Sequence, residues 1–375
     1  MKKFNDRENN YDLLRILACF AVIVAHVSAQ YIDNITLLGT FYSNGELRII
    51  ILFNVLSRFA VSSFVMLSGA FLLSNYKNKD RKTFYKKSIK TIVIPTLIFS
   101  VFYFLIAEAK VLLGVIKYGN NLNDILIPIR NFLIGLPYYH MWYMYMLIGL
   151  YLIIPDLICY VEKIEKKEKN IYYYIAIVLM CLYSGLTTII TIRYSICNVM
   201  VYSGYLFLGY KIRKSLNNKK NNKVGSLLIL SGFIILALLS IYAYNNYMLV
   251  YKVQYKLLST SNLVFSITNF GPFICLASSL IFAGFSKMNI KRDFTRISNK
   301  TFLIFLFHAI VISIIYIFED DILKIKPDIF LIMIINSILS FIISYILSCA
   351  YLWLYKKIDV NDCFEKIVIK KLHLD

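Results

Sequence analysis

The chain has 375 residues, 59% of them hydrophobic and 16% aromatic, with a mean hydropathy of +0.65. No soluble domain hides that much apolar surface, so lipid is part of its solvent. The net charge of +20 sits in short clusters between apolar runs, which is a membrane topology signal and not a nucleic-acid surface.

A bilayer-crossing helix takes ~20 mostly apolar residues. On that measure spans fall near 11–31, 49–74, 91–117, 139–160, 171–190, 195–212, 224–244, 263–285, 299–318 and 328–355. The expectation is an all-α, polytopic integral membrane protein with about ten transmembrane helices, one domain over 1–357 and a short tail over 358–375. Val27-Ser28-Ala29 resembles a signal-peptide cleavage site, but Arg15 and His26 interrupt a run too long for a signal h-region, so this span is expected to remain. No stretch between spans is long enough for a second soluble domain.

Basic loops alternate with loops that hold only a few cations each. The N-terminus, 75–90, 161–170, 211–223, 286–300 and the tail are basic, whereas 32–48, 118–138, 191–194, 245–262 and 319–327 are not. Both termini are therefore expected to be cytoplasmic. Seven cysteines are scattered without metal-ligand spacing, so they read as buried apolar thiols, and no metal is expected.

Ionisable groups in lipid cost about 2.5–3.5 kcal/mol each on insertion scales, which singles out Arg15 and His26 in the first span. Eleven residues advance a helix by about three turns, so both leave from one face, about 16 Å apart along the axis. Asp12 lies three residues before Arg15, within pairing reach. An arginine at a cytoplasmic mouth suits a phosphate-bearing ligand, and an embedded histidine suits general-base work. Alternatively, Arg15 snorkels to headgroups and His26 is a hydrogen-bonded packing residue. In the second span Arg58, Ser62, Val65 and Gly69 fall at helical spacing, a stripe that either lines a cavity or admits a neighbouring helix.

The first span, from Asp12-Leu13-Leu14-Arg15 to His26, resembles the Arg-x10-His signature of the acyltransferase-3 family of bacterial membrane enzymes that O-acylate surface carbohydrates. The stretch from Phe64 through Ser68-Gly69 to Leu73, with Arg58 upstream, is similar to that family's second-helix motif. His140-Met141-Trp142-Tyr143, with Pro155 further on, resembles its fourth-span pattern, and Thr301 to His308 its late-helix signature. Two departures stand out. Lys86, Lys87 and Lys90 precede Ile92-Val93-Ile94-Pro95 where relatives carry arginines, and Ser62 occupies a place where proline is common.

The resemblance implies a cytoplasmic acyl donor, usually acetyl-CoA, no bound prosthetic group, and transfer to a carbohydrate hydroxyl. It assigns His26 and Arg15 to catalysis, and Asp12, Lys86, Lys87 and Lys90 to donor binding. Arg58, Ser68, His140, Trp142 and His308 become possible cavity-lining residues. His140 also reads as part of an interfacial aromatic belt, and His308 as a packing histidine. The implied partners are the bilayer, acyl-CoA and a carbohydrate acceptor, with transfer completed alone or with a separate extracytoplasmic transferase; the implied location is the bacterial inner membrane. The rival reading is a transporter or flippase of a glycan precursor, although paired repeats and matching broken helices are not evident in the sequence.

Overall fold

The computed structural model describes residues 8–38, 42–118, 126–166, 195–216, 220–252, 271–319 and 328–358. Among the described residues the secondary structure is helical, without strands. Helix α1 (Asn9–Leu38) is unbroken, and α2 (Asn44–Leu56) with α3 (Phe59–Leu72) forms the next span. Then come α4 (Arg81–Ser88), a π-helical turn (Ile89–Val93), α5 (Ile94–Tyr118), the short α6 (Leu126–Leu133) and α7 (Trp142–Lys166). The chain continues with α8 (Ser195–Leu216), α9 (Asn222–Lys252), α10 (Pro272–Lys287), the single turn α11 (Thr295–Ser298), α12 (Thr301–Phe318) and α13 (Ile329–Ile358).

Among these residues seven spans are long and apolar enough to cross a membrane, and Pro272–Lys287 is a shorter apolar helix. The chain is an all-α, multi-pass membrane protein. The expected span near 171–190 and residues 359–375 of the tail lie outside the described residues. Most helices outrun the expected spans, because hydropathy marks only the part that crosses hydrocarbon. The stretch 75–90, expected as a basic loop, instead holds α4, which runs through the π turn into α5. Pro95 explains the π turn: it has no N–H, and its ring crowds the carbonyl four residues back, at Thr91 within that turn.

The described residues form two compact units, one built from residues up to Ser74 with Val201–Ile358, the other chiefly from Asn75–Lys169. In the first unit, glycines set a close contact between two helices. A Cβ at Gly69 would stand 2.0 Å from the Leu206 carbonyl oxygen, and one at Gly209 would stand 1.9 Å from that of Met66. Only bare backbone lets α3 and α8 approach this closely. Of the two readings of the stripe after Arg58, helix packing accounts for Gly69, and Ser62 and Val65 are fully buried beside it. On α13, Asn336, Ser340, Ser344 and Ser348 recur every fourth residue and are buried, while Ile338, Ile342 and Ile346 on another face are exposed, where lipid solvates them.

Arg213, expected within a basic loop, instead lies in the last turn of α8 and is buried. Its Nη1 donates to the Ala70 carbonyl at 2.8 Å, its Nη2 to Glu8 Oε1 at 2.9 Å, and its plane lies 4.2 Å from the Phe71 ring centre. Glu8 is also 3.4 Å from Lys220 Nζ, which donates to the Ser286 carbonyl at 3.0 Å. Burial outweighs the Glu8 charge there and holds the Lys220 ammonium below its ordinary pKa. This cluster, with the Tyr11 hydroxyl 2.8 Å from Ser286 Oγ, ties the start of α1 to α8 and α10.

In the second unit α4 and α7 are joined by Arg81–Asp156, and the preceding turn reaches α7 through Lys79–Glu162 at 2.8 Å. The Tyr85 hydroxyl donates to the Leu152 carbonyl at 2.8 Å, in the turn that Pro155 loosens. Between the π turn and α7 lies a groove of about 240 Å³, lined by Tyr85, Ser88, Ile89, Ile92, Ile148 and Tyr151 among others.

Candidate active site

Helices α1 and α12 lie side by side in the first unit and run parallel. Arg15 meets Ser298 just ahead of α12, the Cys19 thiol approaches the Thr301 carbonyl at 3.5 Å, and His26 faces His308. The sequence separations are 283, 282 and 282 residues, so the two chains advance together, almost in register, through a common core with Ile23, Ile304 and Ile312.

At one end of this ladder Arg15 Nη1 donates to Asp12 Oδ1 and to Ser298 Oγ, both at 3.0 Å. The Ser298 hydroxyl in turn donates to the same Asp12 oxygen at 2.5 Å. Asp12 is 2% exposed and Arg15 28%. The carboxylate is thus the buried anchor, and the guanidinium is the part that solvent reaches. The triangle fixes the direction of the arginine fork, which is what recognition of an oxyanion needs.

Eleven residues along, the His26 and His308 rings stand 5.2 Å apart, centre to centre, with their planes tilted by 32°. His308 is fully buried, and its Nδ1 contacts the Phe305 carbonyl one turn back. The packing reading for His308 is thus only half of its environment: the ring is buried, and it meets the other embedded histidine of the unit. One turn beyond the pair is a cavity of about 10 Å³ lined by Gln30, Tyr31, Ile312, Asn336 and Ser340 among others. That is about the room of one water. Asn336 Nδ2 lies 3.0 Å from Glu319 Oε2 and 3.4 Å from the Tyr31 hydroxyl.

Arg58 does not sit within one continuous helix ahead of its stripe, as its spacing predicted. The span breaks there: α2 ends at Leu56, and Ser57 and Arg58 form a tight turn before α3. Asn54 holds the side chain, its Oδ1 accepting from Nε at 3.1 Å and from Nη2 at 2.6 Å. Asn54 Nδ2 donates to Ser28 Oγ at 3.0 Å and to the Ala25 carbonyl at 3.3 Å. A chain of hydrogen bonds therefore connects Arg58 to the backbone just before His26, at the Ala25 carbonyl, and to the Ser28 side chain two residues after it. Asn54, Ser28 and Ser298 escaped the sequence reading. Asn54 alone had a signal, an amide four residues before an intramembrane arginine.

The other predicted residues are placed differently. The Ser68 hydroxyl donates to its own helix at the Phe64 carbonyl, 3.1 Å away. His140, just ahead of α7 in the second unit, is buried edge-on against Tyr103, 4.7 Å from its ring centre, with Tyr138 and Tyr139 alongside. Trp142 opens α7 in that unit, edge-on to Tyr143. Lys86 and Lys87 lie on α4 and Lys90 on the π turn, also in the second unit, with Lys87 exposed. Lys110 Nζ donates to the Tyr138 hydroxyl at 3.3 Å. Among the described residues no group of three metal-ligating side chains gathers.

Compared with known proteins, the chain matches the family model Acyl_transf_3, described as an acyltransferase domain, over residues 8–354. No curated protein and no solved structure gives a significant match.

Proposed function

The chain belongs to the acyltransferase-3 family, and we propose that this membrane acyltransferase moves an acetyl group from cytoplasmic acetyl-CoA to a hydroxyl of a surface carbohydrate or its precursor. The observation that carries the reading is the α1–α12 ladder, with an oriented arginine at one end and paired histidines eleven residues along it. That separation, about 16 Å, suits an extended pantetheine arm whose phosphates rest at Arg15 while its thioester reaches His26.

In this scheme His26 removes the proton from the acceptor hydroxyl as the oxygen attacks the thioester carbonyl. The tetrahedral intermediate collapses by breaking the carbon–sulfur bond, and the proton passes from His26 to the departing thiolate. Products are the ester and CoA thiol, with no net proton change. General-base help of this kind contributes about 10²–10⁴-fold. Lys86, Lys87 and Lys90 are assigned to donor phosphates as point charges without a fork. The enzyme works in the bacterial cytoplasmic membrane with both termini inside, alone or with a separate extracytoplasmic transferase.

The test uses inverted membrane vesicles from cells producing the protein, supplied with acetyl-CoA labelled in the acetyl group. Label should move to glycan as an ester that mild alkali releases. Label recovered in an alkali-stable linkage, or remaining entirely on CoA, would contradict the assignment.

A further inference from the structure

We propose that the polar cluster one turn beyond His26 is the acceptor subsite, where Tyr31 and Ser340 donate hydrogen bonds to a hydroxyl oxygen of the acceptor carbohydrate. This rests on the acyl-transfer reading above and says where the second substrate binds.

The order of residues along α1 gives the location. His26 and Tyr31 lie about 16 Å and about 24 Å from Arg15 along the helix axis. A donor with its phosphates at Arg15 and its thioester at His26 occupies that first stretch, so the acceptor comes from the other end. There the water-sized cavity sits between α1, α12 and α13, four residues past His26 at Gln30, four past His308 at Ile312, and against Asn336 and Ser340. One helical turn is about 5.4 Å, roughly the width of a sugar ring. A hydroxyl held in the cavity therefore leaves another hydroxyl of the same sugar at His26.

The chemistry of the lining selects a hydroxyl. Asn336 Nδ2 donates to Glu319 Oε2 at 3.0 Å and to the Tyr31 hydroxyl at 3.4 Å. A carboxylate only accepts, which fixes that nitrogen as the donor to both. The Tyr31 oxygen thus accepts from the amide, and its own hydrogen meets no acceptor among the described residues. Ser340 supplies a second donor. Ser337 and Ser348 on the same helix satisfy their hydroxyls on their own backbone one turn back, each at 2.7 Å. Ser340 does not: its Oγ is buried with no partner among the described residues. Two buried donors on a cavity of this size are satisfied by one small oxygen, and a sugar hydroxyl offers a lone pair to each. An apolar guest would strand both. Glu319, which caps α12, holds Asn336 in this orientation, and a carboxylate at the edge of the membrane interior marks a functional site.

The experiment titrates glycan-bearing membranes, prepared from cells that lack this chain, against purified wild-type protein, Tyr31→Phe, Ser340→Ala and the double variant, with acetyl-CoA labelled in the acetyl group. Each substitution removes a hydroxyl without adding bulk, and melting temperatures check the fold. The amount of membrane that gives half-maximal glycan labelling should rise about 3- to 10-fold in each single variant and about 10- to 100-fold in the double variant. KM for acetyl-CoA should stay unchanged in all three. A double variant that half-saturates within two-fold of wild type would overturn the proposal, leaving the cavity to a structural water, while the function stands. An equal rise in the donor KM would also overturn it, by placing the cluster on the donor's path. Wild-type protein that labels no glycan at all would overturn the acyl-transfer reading together with this subsite. Should the double variant not fold, Tyr31→Phe, which keeps the ring, decides by the same comparison.

Discussion

At the scale of single residues, Asn54 ties Arg58 to α1. One oxygen accepts two bonds from Arg58, while its amide reaches Ser28 and the Ala25 carbonyl. Asn54→Leu would leave the guanidinium without that acceptor inside the span, at a cost of about 2–3 kcal/mol. The melting temperature should fall, and Asn54→Asp should keep most of it; a leucine variant that melts with the wild type would count against this role. At Arg15 the fork matters as much as the charge, so Arg15→Lys should raise KM for acetyl-CoA with kcat little changed. An unchanged KM would move the donor phosphates elsewhere. Arg15, Asp12 and His26 were legible in the sequence because charges inside apolar runs are conspicuous and helical spacing gives their face. Ser298 and Asn54 were not, since an uncharged polar side chain reveals its role only by what it touches, and Ser298 is 286 residues from Asp12.

At the scale of elements, α3 and α8 meet where Gly69 and Gly209 expose backbone to backbone. An alanine at either position meets a carbonyl oxygen near 2 Å, and no rotamer can relieve a Cβ contact. Gly69→Ala should therefore cost about 1–3 kcal/mol by forcing the helices apart, read as lower folded yield and lower melting temperature. Normal stability would show that this contact is looser than its geometry. On α4 and the π turn, Lys87→Ala and Lys90→Ala should each raise donor KM modestly and in a salt-dependent way. No change at any ionic strength would remove them from the donor site. Hydropathy found the apolar helices but not α4 or the π turn. Charged helix ends look like loops to a hydropathy window, and the π turn shows only through Pro95, whose consequence depends on the helix continuing past it.

At the scale of the whole molecule, α1 runs parallel to α12, whereas it runs antiparallel to α13, through Phe20–Phe341 and Tyr31–Asn336. A parallel pair requires an odd number of membrane crossings between its members, as the expected series of ten spans has between its first and ninth. The cation-rich loops are expected on the cytoplasmic side. A reporter active only in the cytoplasm should work when fused near Lys82, Lys166, Lys219 or Lys291 and stay silent near Asn121 or Tyr255. Activity at either of the last two would break the alternation. Fold class and family were legible throughout, because lipid imposes simple rules and the motifs occur in order along the chain. The meeting of His26 with His308 was not, since it depends on which helices adjoin. The central claim, that His26 performs the acid–base step of acyl transfer, is tested most directly by the rate of free CoA release from acetyl-CoA by purified wild-type protein and by His26→Ala, with acceptor-bearing membranes present. The account predicts a fall of at least about 100-fold in kcat with abundance and melting temperature unchanged, and retention of most of the wild-type rate by His26→Ala would contradict it.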